Sequence, residues 1–238
     1  MTGGQIRRLF FQRDDGGLAT TQTVNTRLRR LVSHGYLDVV VVDKGRGSGP
    51  YAYGLGSRGS SLLGEKLPRR RGAPGSVWHA LELAEFRVRL EEALREADGK
   101  LVEWIGDTTL RSLLAGQRGW PVPDALVHWR LHGREGAFFL EWDRGTESLA
   151  LLTAKLARYA RYFEARGHRL VIPGLKLKPR LAVVVRHARE WRVISDLEGA
   201  RGLSRMTVAL SSMDRVLLEP LADVWWRSDL KDRGSLFV

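Results

Sequence analysis

The sequence contains no cysteine. Disulfides and thiolate-held metals are thereby excluded, and any bound metal must rely on carboxylate, carbonyl, water or imidazole, a donor set that suits magnesium or manganese. Long apolar runs are missing as well. No stretch of about 18 apolar residues exists, so no membrane-spanning helix is expected. Met1 to Arg8 lack an apolar signal core, which makes the cytoplasm the expected location. The six His are scattered without metal-ligand spacing, and neither G-x-S-x-G nor a phosphate-binding loop pattern occurs. Acid is in short supply: 27 Asp and Glu stand against 39 Lys and Arg.

The resulting net charge of +12, with a pI near 10.6, is the strongest bulk property. Excess of that size suggests a polyanionic partner, and a nucleic acid fits because most of the cations are Arg, the side chain that binds phosphate and guanine edges in a bidentate way. The 238 residues leave room for one large or two small domains, and 43% hydrophobic content supports a true core.

Along the chain, Thr2 and Gln5 form a T-x-x-Q capping box ahead of a short helix, Ile6 to Phe11. A second helix is expected from Thr20 or Thr21 to His34, stopped by Gly35. Val24, Leu28, Leu31 and Val32 fall on its buried face. Gln22, Thr26, Arg29, Arg30 and Ser33 point the other way, a set of hydrogen-bonding and cationic groups suited to a DNA groove. Strands at 36–42 and 51–55 flank a glycine-rich turn whose Lys44 and Arg46 would reach phosphate. A helix at 57–67 follows. Helix then basic-tipped hairpin is the layout of a winged helix-turn-helix, here lacking its usual first helix. A partner, in the simplest case a second copy forming a homodimer over Ile6, Leu9 and Phe10, would then cover the bare surface. Pro68 to Gly75 reads as a linker, giving domains at 1–67 and 76–238.

The second domain reads as a long helix from Ser76, a strand near 101–105, two apolar strands, a helix at 149–163, and further strands and helices. Pro123-Asp124, then Glu141-Trp142-Asp143 seventeen positions later, is the spacing of a metal-dependent nuclease site. Two converging carboxylates hold a divalent ion, and a Lys orients or activates water. Asp143 stands where that Lys is expected, on the face that Glu141 shares. Lys155 on the next helix, about 80° from the centre of the stripe Leu149, Leu152, Leu156, Tyr159 and Phe163, is the substitute. The candidate catalytic set is Asp124, Glu141, Asp143 and Lys155, with the three acids as ligands for Mg2+ or Mn2+. Glu82 and Glu85 are further candidates for a fourth ligand. The expected class is α/β (α+β), a winged helix-turn-helix followed by a restriction-endonuclease-like mixed-sheet domain.

R-L-R-R-L-V-x-x-G-Y-L and Y-x-Y-x-L, joined to P-D-A-L-V, F-F-L-E-W-D-R-G-T-E-S and K-L-A-R-Y-A-R-Y, resemble the replication-relaxation family over residues 5 to 190. The resemblance implies a DNA-associated role in replication, relaxation or mobilisation of a bacterial plasmid, phage or other mobile element, with Asp124, Glu141, Asp143 and Lys155 as its recurring polar set. Three functions follow as expectations: a duplex-binding regulator or replication accessory, a magnesium-dependent endonuclease or nickase, and a subunit of a larger nucleoprotein complex.

Overall fold

The computed structural model describes residues 1–42, 49–64, 74–115, 119–165, 177–199 and 206–237, and the chain divides into two compact units, Met1–Val88 and Arg89–Val238.

In the first unit, α1 (Gly3–Phe10) opens with the expected box: Gln5 N donates to Thr2 Oγ1, and Thr2 N to Gln5 Oε1. Helix α2 (Thr21–Ser33) is capped by Thr20 and ends at Gly35, whose φ of 73° lets Gly35 N and Tyr36 N return to the carbonyls of Val32 and Leu31. Val24 and Leu28 are buried, each worth about 1.5–3 kcal/mol by removal from water. Leu31, expected on that face, is 40% exposed instead. Strands β1 (Leu37–Val41) and β2 (Tyr51–Leu55) pair antiparallel, and Thr2 adds a bridge to Ala52 at the far edge of β2. Helix α3 (Ser57–Leu62) follows.

The unit boundary falls inside α4 (Pro74–Glu96), later than the proline-rich 68–75 segment. The reason is packing. Val77, Trp78 and Leu81 join Val40, Val42 and Ala52 in one apolar cluster. Gln5, only 7% exposed, donates to Leu81 O and to Glu85, and Arg8 pairs with Glu85 at 2.6 Å. A helix from later in the chain thus packs against the Gln5 and Arg8 side of α1, while Phe10, where an added partner was expected, is 61% exposed. Glu85, weighed above as a metal ligand, is committed to that contact.

The second unit is built on one seven-stranded sheet in sequence order: β3 (Lys100–Gly106), β4 (Ala125–Leu131), β5 (Arg134–Asp143), β6 (Arg180–Val185), β7 (Val208–Ser212), β8 (Trp225–Arg227) and β9 (Asp232–Gly234). The first three run antiparallel, and β5, β6 and β7 are mutually parallel. Helix, strand, strand, strand, helix, strand, the order of a restriction-endonuclease-like core, is therefore present, with α5 (Asp107–Leu113) inserted after β3. The β4–β5 hairpin turns on His132-Gly133, both with positive φ, the two-residue turn whose twist matches its strands. Every residue of β5 from Ala137 and of β6 from Leu181 is buried, as in a sheet covered on both faces. On one face, Leu126, Phe139, Val183 and Val208 pack with α6 (Leu149–Glu164) and α7 (Glu190–Gly199). On the other, Trp129 and Phe138 meet Phe237 edge-on. Helix α8 (Met213–Leu218) follows β7.

Candidate functional site

Asp124 sits at the foot of β4. Its backbone N donates to Leu140 O at 2.9 Å, and its Oδ2 accepts from Trp142 N at 2.8 Å. Ala125 pairs with Leu140, so the ladder sets Asp124 beside Glu141 on the neighbouring strand. The two acids meet because a tight hairpin fixes the register, and a one-residue slip would turn Glu141 to the opposite face.

Glu141 is 2% exposed. Such a carboxylate is costly unless both oxygens find donors. Both do: the Lys155 ammonium contacts Oε2, and the Tyr159 hydroxyl donates to Oε1. Lys155 and Tyr159 lie four residues apart on α6, so they share one helix ridge. The ridge is aimed by Leu152, Leu156 and Phe163 in the core, and the helix starts at Ser148, whose hydroxyl accepts from Leu151 N. Burial pushes the Glu141 carboxyl up to about 7; Lys155 pulls it back and Asp124 adds to the rise. For Lys155, burial acts to lower the pKa, but Glu141 and Asp124 outweigh it and the ammonium is held above its usual value. Burial and the Glu141 charge together drive the Tyr159 hydroxyl well up, so it stays a donor.

Asp143 shares the strand but not the cluster. Its Oδ1 accepts from Gly145 N at 2.8 Å, and its Oδ2 lies 2.7 Å from an Arg189 nitrogen. That last contact is an ion pair without hydrogen-bond alignment. Arg189 belongs to the turn between β6 and α7, and neighbouring Arg186 donates to Arg144 O. The structure thus brings Asp124, Glu141 and Lys155 together and gives Asp143 a separate cation. Tyr159 is the member that sequence reasoning missed, counted above as core alone. Its only advance signal was a hydroxyl on an otherwise apolar stripe.

A divalent ion at this place would need oxygen ligands in number. Both Glu141 oxygens and both Asp143 oxygens have partners, and among the described residues no group of three or more His, Cys, Asp or Glu is arranged to hold a metal. In this arrangement the residues do not fit magnesium or manganese.

In the first unit, Gln22, Thr26, Arg29, Arg30 and Ser33 are all exposed along α2. Ser33 Oγ donates to Arg30 O, and Arg27 lies over the Phe11 ring at 5.5 Å. Lys44 and Arg46 lie outside the described residues.

The sequence model of the replication-relaxation family matches residues 1–175, which takes in α2 and the acid–lysine cluster alike. The chain belongs to this family. No curated protein matches this replication-relaxation member. Among solved structures, restriction endonuclease FokI bound to DNA is similar at 11% identity and a TM-score of 0.29, over 84% of this chain and 38% of the FokI chain. The chain thus spans well under half the length of that protein. The core's nuclease-like order is read from its own strands. Among the described residues, no helix of this replication-relaxation protein is long and apolar enough to cross a membrane.

Proposed function

We propose that the chain binds double-stranded DNA in replication or relaxation of a bacterial plasmid or mobile element, or in their regulation. Its N-terminal unit works as a winged helix-turn-helix, with α2 in the groove and the β1–β2 hairpin beside it. The observation that carries this reading is the division of α2. Val24 and Leu28 anchor one side, while Gln22, Thr26, Arg29, Arg30 and Ser33 stand exposed on the rest of the helix. Donors, acceptors and cations on one rigid helix are what reading base edges and phosphates requires. The net charge of +12 supplies long-range attraction.

The test is a salt titration of duplex binding by fluorescence anisotropy. With about six phosphates neutralised, log affinity falls against log salt with a slope near −5. Arg29→Ala weakens binding by about 1–3 kcal/mol if that side chain reads a base. A slope near zero would end the electrostatic account.

A second reading is a magnesium- or manganese-dependent nickase using Asp124, Glu141, Asp143 and Lys155. The meeting of Asp124, Glu141 and Lys155 favours it. Against it stand Tyr159 and Lys155 on Glu141 and Arg189 on Asp143, which would have to release those acids. Supercoiled plasmid incubated with the protein and either metal decides it: nicking that Asp124→Ala abolishes supports the enzyme, and intact plasmid removes it.

A further inference from the structure

Between α2 and the hairpin runs an open groove of about 480 Å³, within the range of small-ligand pockets. Asn25, Arg29 and Ser33 line it from the helix; Val39, Tyr51 and Tyr53 line it from the hairpin. These positions follow from geometry. Asn25, Arg29 and Ser33 recur every fourth residue along one helix stripe. Val39 pairs with Tyr53 and Val41 with Tyr51, so the four share one face of the ribbon. The opposite ribbon face, with Val40 and Ala52, is packed into the core. The groove face is left partly open: Tyr51 is 59% exposed and Val41 60%. Among the described residues the side chains of Asn25 and Arg29 have no hydrogen-bond or ion-pair partner.

An aromatic and aliphatic wall facing an amide, a hydroxyl and a guanidinium does not suit a phosphate backbone alone, because a phosphodiester gains nothing from Tyr51, Tyr53 and Val39. A flat nucleobase does. Its π-face stacks on tyrosine, its polar edge meets Asn25 or Ser33, and its phosphate pairs with Arg29. Inside a duplex that face is covered by neighbouring bases, so only an unpaired nucleotide offers it. A second copy of the chain is disfavoured by charge, since mating two such faces would bring the Arg29 guanidinium of each copy into one apolar-walled groove.

We propose that this groove takes an unpaired nucleotide, so that the N-terminal unit recognises the junction between duplex and single strand. The inference rests on the duplex-binding reading of α2 and deepens it by naming the DNA class.

The experiment compares the full chain on a blunt duplex and on the same duplex with a single-stranded tail, with 2-aminopurine as the first unpaired base. The tailed DNA binds about tenfold tighter, and the 2-aminopurine signal is quenched on binding. Tyr51→Ala, at an exposed position that leaves the core intact, brings tailed affinity down to blunt affinity; Tyr51→Phe keeps the preference. Equal native affinities, or a preference that survives Tyr51→Ala, overturn the inference while leaving α2 as a duplex reader. Loss of all DNA binding by the native chain sinks both readings. A dimer in light scattering that Tyr51→Ala dissolves would assign the groove to a second copy and overturn the proposal.

Discussion

Lys155 reaches Glu141 from the helix that follows the strand, fourteen residues further along the chain. The ammonium is carried on α6 rather than on the strand, and it belongs to a side chain that is still partly exposed. That pairing makes the buried acid tolerable, and it sets how the second unit responds to pH and to mutation.

The pH response has a definite sign. Burial lifts the folded Glu141 carboxyl from an unperturbed 4.5 to about 7. Between those values the folded chain holds a proton that the unfolded chain has released, so stability falls as pH rises through the window. The contribution is about 3 kcal/mol, present in full below the lower value and lost above the upper one. Thermal melts at pH 5 and pH 8 should show a larger drop for the native chain than for Glu141→Gln. Parallel drops in the two proteins would refute the assignment.

Lys155→Met leaves Glu141 buried with Tyr159 as its remaining side-chain donor. Removing one partner of a buried pair costs about 3–5 kcal/mol, less whatever the carboxyl recovers by taking up a proton. Adding Glu141→Gln removes the stranded charge, so the double variant should melt higher than Lys155→Met alone. Simple addition of the two single losses would mean the residues do not act as a pair.

Gly136 is close to irreplaceable for steric reasons. A Cβ built there would lie 2.4 Å from the Trp129 ring, which is itself buried. Gly136→Ala should destabilise the chain by about 1–3 kcal/mol, the usual cost of overpacking. Urea denaturation measures it, and a neutral result would show that the indole can move aside.

Gln5 ties the first helix to α4. Gln5→Leu matches the buried volume but leaves the Leu81 carbonyl and the Thr2 N–H without their present side-chain partners. A loss of about 1–3 kcal/mol in the first unit is expected, read by the protection of α1 amides in hydrogen exchange. Unchanged protection would demote the contact.

Two neighbouring arginines should separate cleanly. Arg27 stacks on Phe11, whereas Arg29 faces the groove. Arg27→Ala lowers stability by about 0.5–1 kcal/mol. Arg29→Ala lowers DNA affinity and leaves the melting temperature alone. The reverse pattern in a melt and a binding titration would exchange their roles.

Much of this was readable along the chain because it is local. The Thr2–Gln5 box and the Gly35 stop each depend on residues within a few positions of one another. The convergence of Asp124 with Glu141 was also legible, from acids at the ends of two successive apolar strands, whereas the two-residue turn that sets their register shows only in the fold. What escaped was long-range. Nothing near Asp143 announces Arg189, which arrives from beyond β6. Nothing near Gln5 announces Glu85. The proline-rich segment at 68–75 read as a boundary because composition marks where a chain breaks, while the unit ends where packing stops, inside α4. Leu31 read as core because a helical stripe gives an angle but not the depth of the surface it meets.

The His132-Gly133 turn also has a kinetic consequence. A hairpin of this kind closes in about 1–10 μs, well ahead of a parallel pairing that must await a helical crossover. Lys155 follows Glu141 by only fourteen residues, so α6 needs no crossover to reach the hairpin. The two acids and their cation therefore belong to one contiguous stretch of chain and can gather there while β6 has still to pair.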